Sequence, residues 1–151
     1  MLKKGDNAPY FELEGTNGQK VSSESLIGSQ YVLYFYPKDN TSGCTKEAVE
    51  FSSLLKEFEE LGIRIFGVSP DSIEKHNKFI KDHDLKITLL SDPENQASSA
   101  YFAYGDKSMY GKIYKGIIRS TFVINEDSII EEAYYKVKAA GHAKKVLESL
   151  K

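Results

Sequence analysis

The chain contains one cysteine, Cys44, in the segment Pro37-Lys-Asp-Asn-Thr41-Ser-Gly43-Cys44-Thr-Lys-Glu-Ala. This segment leaves an apolar strand and enters a strongly periodic helix, so the thiol lies in the positive field of a helix N-terminus. That field favours the thiolate, which is the nucleophilic form of cysteine. Most lone cysteines are inert residues of a core, but a thiol at the mouth of a helix predicts a reacting sulfur.

Catalysis by this sulfur needs more than a favoured thiolate, because donors must also face the charge that develops in the transition state. Thr41 precedes the sulfur by three residues, so its hydroxyl can face the same pocket. It can equally serve only as the N-cap of the helix, and the two roles are compatible. Gly43 lets the backbone approach a bound ligand closely, although a permissive turn residue is an equal interpretation.

The elements that position these residues follow from the hydrophobic pattern. Tyr31–Tyr36 is a continuous apolar run that predicts a buried strand, ended by Pro37. A helix is predicted from about Gly43 to Leu61, with Thr41 or Ser42 as its cap and Gly62 as its stop. The apolar residues that repeat at helical spacing along it are Ala48, Phe51, Leu54, Leu55, Phe58 and Leu61.

The rest of the chain predicts short strands and helices in alternation. Asn17-Gly18 indicates a tight turn between the strands Tyr10–Leu13 and Gln19–Val21. Asp71 and Glu74 have capping-box spacing ahead of a helix that reaches about His83. The other predictions are a helical turn at Ser22–Ile27, strands at Ile63–Val68, Ile87–Leu90, Ser120–Asn125 and Ile129–Val137, and helices at Pro93–Tyr104 and His142–Leu150. The order β-α-β, then β-β-α, favours an α/β fold with a mixed sheet and helices on both faces.

Length and composition narrow the class of protein. A chain of 151 residues is about one domain's worth, so we expect a single domain over residues 1–151. The net charge of −2 and the scattered lysines and arginines argue against a nucleic-acid partner. No apolar run at the N-terminus has the length of a signal peptide, and none in the chain has the roughly 18 residues of a membrane span. One cysteine cannot form an internal disulfide, and we therefore expect a soluble cytoplasmic protein without a membrane partner.

The spacing Pro37-x-x-x-Thr41-x-x-Cys44 resembles the active-site signature of the peroxiredoxins. The wider string, Tyr34-Phe-Tyr-Pro-Lys-Asp followed by Thr-Ser-Gly-Cys-Thr-Lys-Glu-Ala, resembles the peroxiredoxin Q branch, also called bacterioferritin comigratory protein. Further matches, in order, are Gly5-Asp-x-Ala-Pro-x-Phe11, Thr88-Leu-Leu-Ser-Asp92, and Met109-Tyr-Gly-Lys112 followed by Gly116-Ile-x-Arg119-Ser-Thr-Phe122. These motifs cover nearly the whole chain, which makes the resemblance specific.

The resemblance implies a thioredoxin-like fold and thiol-dependent reduction of hydrogen peroxide and organic hydroperoxides, without a metal or other cofactor. It implies that Cys44 is the peroxidatic cysteine, which becomes a sulfenic acid. It also implies that Thr41 hydrogen-bonds the peroxide, that Pro37 shields the pocket from water and that the Arg119 guanidinium faces the thiolate. From the sequence alone, an arginine that begins an apolar strand is more often solvated.

The chain departs from the branch in its lack of a resolving cysteine. Many relatives carry it five residues after the peroxidatic cysteine, where this chain has Val49, and others near Ser98-Ser99. The resemblance therefore implies a one-cysteine enzyme recycled by an external reductant such as thioredoxin, or glutathione with glutaredoxin. An engineered Cys→Ser change at Ser98 stays an alternative. Ser42 stands where the branch often has proline. A monomer is expected, with Cys44–Cys44 disulfide dimers as the alternative under oxidation.

Other functions place other demands on the sequence. A cysteine hydrolase or acyltransferase needs a histidine beside Cys44, whereas His76, His83 and His142 are each expected to be solvated surface residues. A thioredoxin-like binding module with a vestigial thiol is less compatible with Thr41 and Arg119. A two-cysteine oxidoreductase is excluded, because Thr41 occupies the first position of Cys-x-x-Cys.

Overall fold

The computed structural model describes residues 1–151. Seven strands form one sheet and two further strands form a separate hairpin. The strands are β1 (Glu12–Gly15), β2 (Lys20–Ser22), β3 (Gln30–Phe35), β4 (Ile63–Ser69), β5 (Thr88–Ser91), β6 (Tyr104–Met109), β7 (Lys112–Ile117), β8 (Ser120–Ile124) and β9 (Ile130–Tyr134). The helices are α1 (Ser42–Glu60), α2 (Ile73–His83), α3 (Gln96–Ala100) and α4 (His142–Ser149), with a 3-10 turn at Glu24–Leu26.

The sheet is mixed, in the order β2-β1-β5-β4-β3-β8-β9. Strands β3, β4 and β5 run parallel, whereas β8 runs antiparallel to β3 with Phe35 opposite Ser120. The end of β3 therefore lies beside the start of β8. Residues that follow β3 therefore lie close to residues that precede β8, at the end of these two strands. More than 70 positions separate them in the sequence.

Two layers of apolar side chains cover the two faces of the sheet. Successive residues of β3 alternate between them, as the period of a strand requires: Val32 and Tyr34 lie in one layer, Tyr31, Leu33 and Phe35 in the other. Helices α1, α2 and α4 bury residues in the first layer, and α3, the 3-10 turn and the N-terminal segment bury residues in the second. The predicted mixed sheet with helices on both faces is confirmed.

Helix α1 forms largely as its pattern predicts. Its residues Ala48, Phe51 and Phe58 are buried, and the Phe51 ring stacks on Tyr34 of β3 with ring centroids 4.6 Å apart. Gly62 follows the helix with φ +77°, a left-handed conformation in which glycine carries no steric penalty. The predicted stop at Gly62 is confirmed.

The predicted helix Pro93–Tyr104 is wrong over most of its length, because only Gln96–Ala100 is helical. The carboxylate of Asp92 holds its first turn by accepting from the backbone N–H groups of Gln96 and Ser98. Tyr104 instead begins a hairpin of β6 and β7, which the sequence analysis did not predict. Its two-residue turn, Tyr110-Gly111, has positive φ at both positions, as a type I′ turn requires. Strand β9 also ends earlier than predicted, at Tyr134.

The predicted capping box at Asp71 and Glu74 is also wrong. Ser72 is the N-cap of α2, and its hydroxyl accepts from the N–H of Lys75. The Asp71 carboxylate turns inward, where it accepts from the N–H of Asp39 and the hydroxyl of Ser69. Both donors belong to buried residues, so the carboxylate of Asp71 is bonded in the interior and is not available to cap the helix.

The prediction that all three histidines are solvated is wrong for two of them. His76 is completely buried and His142 is 5% exposed, whereas His83 lies on the surface. His76 faces the core because it shares a helix face with Ile73 and Phe79, three residues away on either side. No helix of the structure combines the length and the apolar character that a membrane span requires.

Candidate active site

Cys44 lies in the first turn of α1 and is 2% exposed. Its side chain packs among the apolar residues on the α1 face of the sheet, while the free N–H groups of the first turn contribute the positive end of the helix dipole. The one hydrogen bond to its sulfur comes from the Arg119 guanidinium, whose Nη2 lies 3.3 Å from Sγ. A helix terminus and a guanidinium thus both direct positive charge at the thiol.

Arg119 reaches the sulfur because it directly precedes β8, whose first residue lies opposite the end of β3. Its side chain is 17% exposed rather than solvated, and its Nη1 donates to Oε1 of Glu47 over 2.7 Å. Burial opposes the charged guanidinium, but the Glu47 carboxylate and the Cys44 sulfur outweigh it and raise the pKa of Arg119. The arginine therefore stays cationic beside the sulfur.

Glu47 also lies at this site, although it was not among the residues predicted from the sequence. Its side chain is fully buried, Oε1 accepts from Arg119, and Oε2 has no hydrogen-bond partner. Burial raises the pKa of Glu47 to about 7, although Arg119 works against this rise. The spacing of Glu47 in the sequence could have predicted this position. Glu47 follows Cys44 by three residues and precedes the buried Phe51 by four, so it shares their face of the helix.

Thr41 occupies the N-cap position of α1 with an extended backbone, but its side chain does not cap the helix. Its hydroxyl instead donates to the carbonyl oxygen of Lys38 over 2.7 Å. The hydroxyl proton is thereby engaged, and the oxygen keeps lone pairs with which it can accept a hydrogen bond from a ligand. The predicted N-cap position of Thr41 is therefore confirmed, although its hydroxyl bonds the Lys38 carbonyl and not an N–H group of the helix.

Gly43 and Pro37 lie on either side of Thr41. A Cβ atom built on Gly43 would lie 3.3 Å from Nη2 of Arg119, so the group that approaches this glycine closely is the guanidinium. Pro37 is half-buried and follows the last sheet bond of the strand, from the N–H of Tyr36 to the carbonyl of Val68. The structure thus brings Cys44, Gly43 and Arg119 into contact, with Pro37 and Thr41 in the loop that leads into the helix.

A second cationic side chain lies near the thiol, on the hairpin that was not predicted. Burial and the neighbouring Arg119 lower the pKa of Lys107 on β6, while the Cys44 sulfur opposes this change. Lys107 extends across Gly116 of the paired strand, where a built Cβ atom would lie 3.3 Å from its Cδ. The hairpin therefore adds positive charge to the surroundings of Cys44.

None of the three histidines is bonded to Cys44. His76 bonds Asp39 and the carbonyl of Leu90, His142 bonds the hydroxyl of Thr121, and His83 bonds Asn40. A hydrolase or acyltransferase mechanism would lack the base that activates its nucleophile. The arrangement instead suits a thiolate that accepts a hydrogen bond from a guanidinium and has no histidine bonded to it.

The fold and this site define a class of thiol enzyme, and the comparisons agree. The AhpC/TSA family profile matches residues 4–133, so the chain belongs to the AhpC/TSA family. The putative peroxiredoxin bcp of Helicobacter pylori strain 26695 is 49% identical, covering 99% of this chain and 98% of its own length. The peroxiredoxin Bcp of Bacillus subtilis is 44% identical, covering 99% of this chain and 96% of its own.

Solved structures show the same relationship. A PrxQ mutant of Xylella fastidiosa superposes with a TM-score of 0.92 at 35% identity, covering 99% of this chain and 96% of its own. The bacterioferritin comigratory protein of Xanthomonas campestris, studied for alkyl peroxide reduction, gives a TM-score of 0.87 at 38% identity, covering 93% of this chain and 89% of its own. The thioredoxin-like fold is thereby confirmed. The protein is a thiol-dependent peroxidase of the Bcp/PrxQ branch, and it acts on peroxides with a thiol reductant.

Proposed function

We propose that Cys44 is the residue that attacks the peroxide, with Arg119 and Thr41 as its partners. The observation that carries this proposal is the hydrogen bond from Arg119 Nη2 to Sγ at the first turn of α1. Arginine keeps its charge throughout the cycle and offers several donors in a fixed plane. One nitrogen can therefore hold the sulfur while the guanidinium also faces the oxygen that becomes negative.

The reaction is a two-electron displacement at oxygen. The Cys44 thiolate attacks the near oxygen of the hydroperoxide, the O–O bond breaks, and the leaving oxygen departs with the electron pair. The solvent, which took up the proton of the Cys44 thiol when the thiolate formed, returns a proton to this oxygen, and it becomes water or an alcohol. The sulfur is oxidised to a sulfenic acid and the peroxide is reduced. Arg119 and the N–H groups of the helix stabilise the negative charge as it moves from sulfur to the leaving oxygen.

Thr41 orients the substrate in this scheme. Because its proton is committed to the Lys38 carbonyl, its oxygen accepts the O–H of the hydroperoxide. That contact holds the peroxide with its near oxygen toward the sulfur. Pro37 and Gly43 contribute shape: the proline ring limits water at the mouth, and the glycine leaves room for the guanidinium.

The cycle closes with an external thiol, because the chain contains no second cysteine. Two reductant thiols convert the sulfenic acid to the thiol and water, and they become a disulfide. Thioredoxin, or glutathione with glutaredoxin, is proposed as the source. A single domain over residues 1–151 that acts as a cytoplasmic monomer remains a prediction.

Single-turnover oxidation tests the proposal. The reduced protein is mixed with hydrogen peroxide or an organic hydroperoxide, and the intact protein is followed by mass spectrometry, with Cys44→Ser as the blank. A prompt gain of one oxygen atom on Cys44 is expected, and each candidate reductant is then tested for its removal. An unmodified Cys44 in excess peroxide would refute the proposal, and peroxide-independent ester cleavage would favour a hydrolase.

A further inference from the structure

In the loop between β3 and α1, the peptide group that joins Lys38 to Asp39 is hydrogen-bonded on both of its sides. Its carbonyl oxygen accepts the hydroxyl proton of Thr41 over 2.7 Å. Its N–H donates to Oδ2 of Asp71 over 2.8 Å. Because a peptide group is planar, the acceptor on one side fixes the direction of the carbonyl on the other.

Asp71 is itself firmly fixed beneath the loop. Oδ2 also accepts the hydroxyl proton of Ser69 over 2.7 Å, and the main-chain carbonyl of Asp71 accepts from Ser91 over 2.6 Å. Ser69 and Ser91 end the paired parallel strands β4 and β5. The carboxylate is therefore anchored to the rigid end of the sheet, whereas Thr41 lies on the exposed side of the loop.

The side chain of Asp39 holds the other end of the same peptide. Oδ2 lies 2.6 Å from Nδ1 of His76, and Oδ1 accepts from the hydroxyl of Tyr36 over 2.6 Å. Nε2 of His76 carries a proton, because its partner 2.8 Å away is the carbonyl of Leu90, which can only accept. One side-chain ligand atom from each of Asp39, Asp71 and His76 lies within 4.8 Å of the other two, so the three residues form one cluster beneath the loop.

We propose that Asp71 is a positioning residue for the peroxidase reaction: through the Lys38–Asp39 peptide it sets the direction of the Thr41 hydroxyl, and the Asp39–His76 pair supports it. Without the Asp71 acceptor the N–H of Asp39 loses its bond, and the peptide group rotates until the Lys38 carbonyl no longer faces Thr41. The Thr41 proton is then no longer committed, and the oxygen ceases to be a dedicated acceptor for the hydroperoxide. This inference rests on the role proposed for Thr41.

Two reactions of the same sulfur separate this role from a structural one. Peroxide must be oriented by Thr41, whereas alkylation of Cys44 by iodoacetamide requires the thiolate and access to it but no hydrogen bond from Thr41. Asp71→Ala is expected to slow oxidation of Cys44 by hydrogen peroxide about tenfold or more, since small misplacements at a reacting centre are costly, and to leave alkylation unchanged. Asp71→Asn keeps an oxygen acceptor and is expected to restore most of the rate. Ile124→Ala, at the far end of β8, is the control for lost stability alone.

A double-mutant cycle with Thr41→Val completes the test. If Asp71 acts through Thr41, Asp71→Ala has no further effect once Thr41 is valine. A wild-type oxidation rate in Asp71→Ala, an equal loss of alkylation, or a full second loss in the Thr41→Val background each overturns the inference. If the alanine variant does not fold, Asp71→Ser replaces it in the test. The serine side chain is too short for its oxygen to reach the N–H of Asp39. A wild-type rate in Thr41→Val alone refutes the role of Thr41, and this inference with it.

Discussion

Arg119 and Glu47 form an ion pair 2.7 Å long, and the Glu47 side chain is completely buried. The same guanidinium donates its other nitrogen to the Cys44 sulfur. The Glu47 carboxylate thus holds the Arg119 guanidinium in place and favours its charge, although Glu47 makes no hydrogen bond to the Cys44 sulfur. Protonation of Glu47 should change the free energy of unfolding, whereas loss of Arg119 should also change the rate at which Cys44 is oxidised.

Replacement of Glu47 by glutamine is expected to change how stability depends on pH. The folded-state pKa of about 7 lies above the ordinary value of 4.5, so protonated Glu47 stabilises the fold fully below pH 4.5 and this contribution is lost as the pH rises through about 7. Relative to Glu47→Gln, the free energy of unfolding of the wild type should fall by about 3 kcal/mol between pH 4.5 and 8. Urea unfolding at a series of pH values measures this, and parallel profiles would contradict it.

Replacement of Arg119 by methionine should affect both chemistry and stability. The loss of one donor to developing charge typically costs about a hundredfold to a thousandfold in rate, and the unpaired Glu47 carboxylate should cost about 3–5 kcal/mol of stability at pH 8. Adding Glu47→Gln to the variant is expected to recover stability but not the rate of Cys44 oxidation. Recovery of both together would mean that Arg119 acts only on the fold.

Alanine at Gly43 is expected to slow the oxidation of Cys44 by about tenfold, because its methyl group would press on Arg119 Nη2 from 3.3 Å. Stopped-flow oxidation by peroxide measures the effect. Gly105→Ala is the matched control, since the nearest atom there, Ile118 Cδ1, lies at an ordinary 3.6 Å. Equal rates in the two variants would show that the guanidinium tolerates the displacement.

Replacement of His142 by glutamine should make the protein more resistant to mild acid. Burial, with Lys145 and Arg119 nearby, lowers the pKa of His142 from 6.5 to about 4, so the stability it contributes is present above pH 6.5 and is lost as the pH falls toward 4. The melting temperature of the wild type should therefore drop over this window more than that of the variant. His83→Gln, at an exposed histidine, is the control and should follow the wild type.

The helix that carries Cys44 is expected to stay folded through the catalytic cycle. A partner cysteine at position 49 would lie five residues, about 7.5 Å of helix rise, from Cys44, and a disulfide requires shorter Cα separations. Because this chain has Val49 there, no unwinding is needed. Amide exchange in the first turns of α1 should be alike in the thiol and sulfenic forms. Val49→Cys is the control, in which oxidation should deprotect these turns; strong deprotection in the wild type would contradict the prediction.

The elements built on long apolar patterns could be predicted from the sequence. The run Tyr31–Tyr36 and the stripe of α1 each specify one structure over many residues, and they place Cys44 correctly. The β6–β7 hairpin escaped prediction because its strands are largely exposed and carry little apolar alternation, and because Tyr110-Gly111 is a weaker turn signal than Asn-Gly.

The partners of the buried polar residues were the harder part of the site. His76 could have been found from its spacing to Phe79, as Glu47 could from Cys44. Asp39 could not, because its partners Asp71 and His76 lie 32 and 37 residues away and only the packing of α2 brings them together. Arg119 required the antiparallel register of β3 and β8, which no local pattern contains.

The β6–β7 hairpin pairs with no strand of the main sheet, and its turn residue Tyr110 is 99% exposed. The register that joins Arg119 to Cys44 does not depend on the length of this hairpin. Its tip is therefore a natural place to insert a foreign sequence, such as an affinity tag or a fluorescent reporter, into a working peroxidase. A reporter between Tyr110 and Gly111 would lie on the same hairpin as Lys107, and its emission before and after peroxide would test whether the hairpin responds to oxidation of the enzyme.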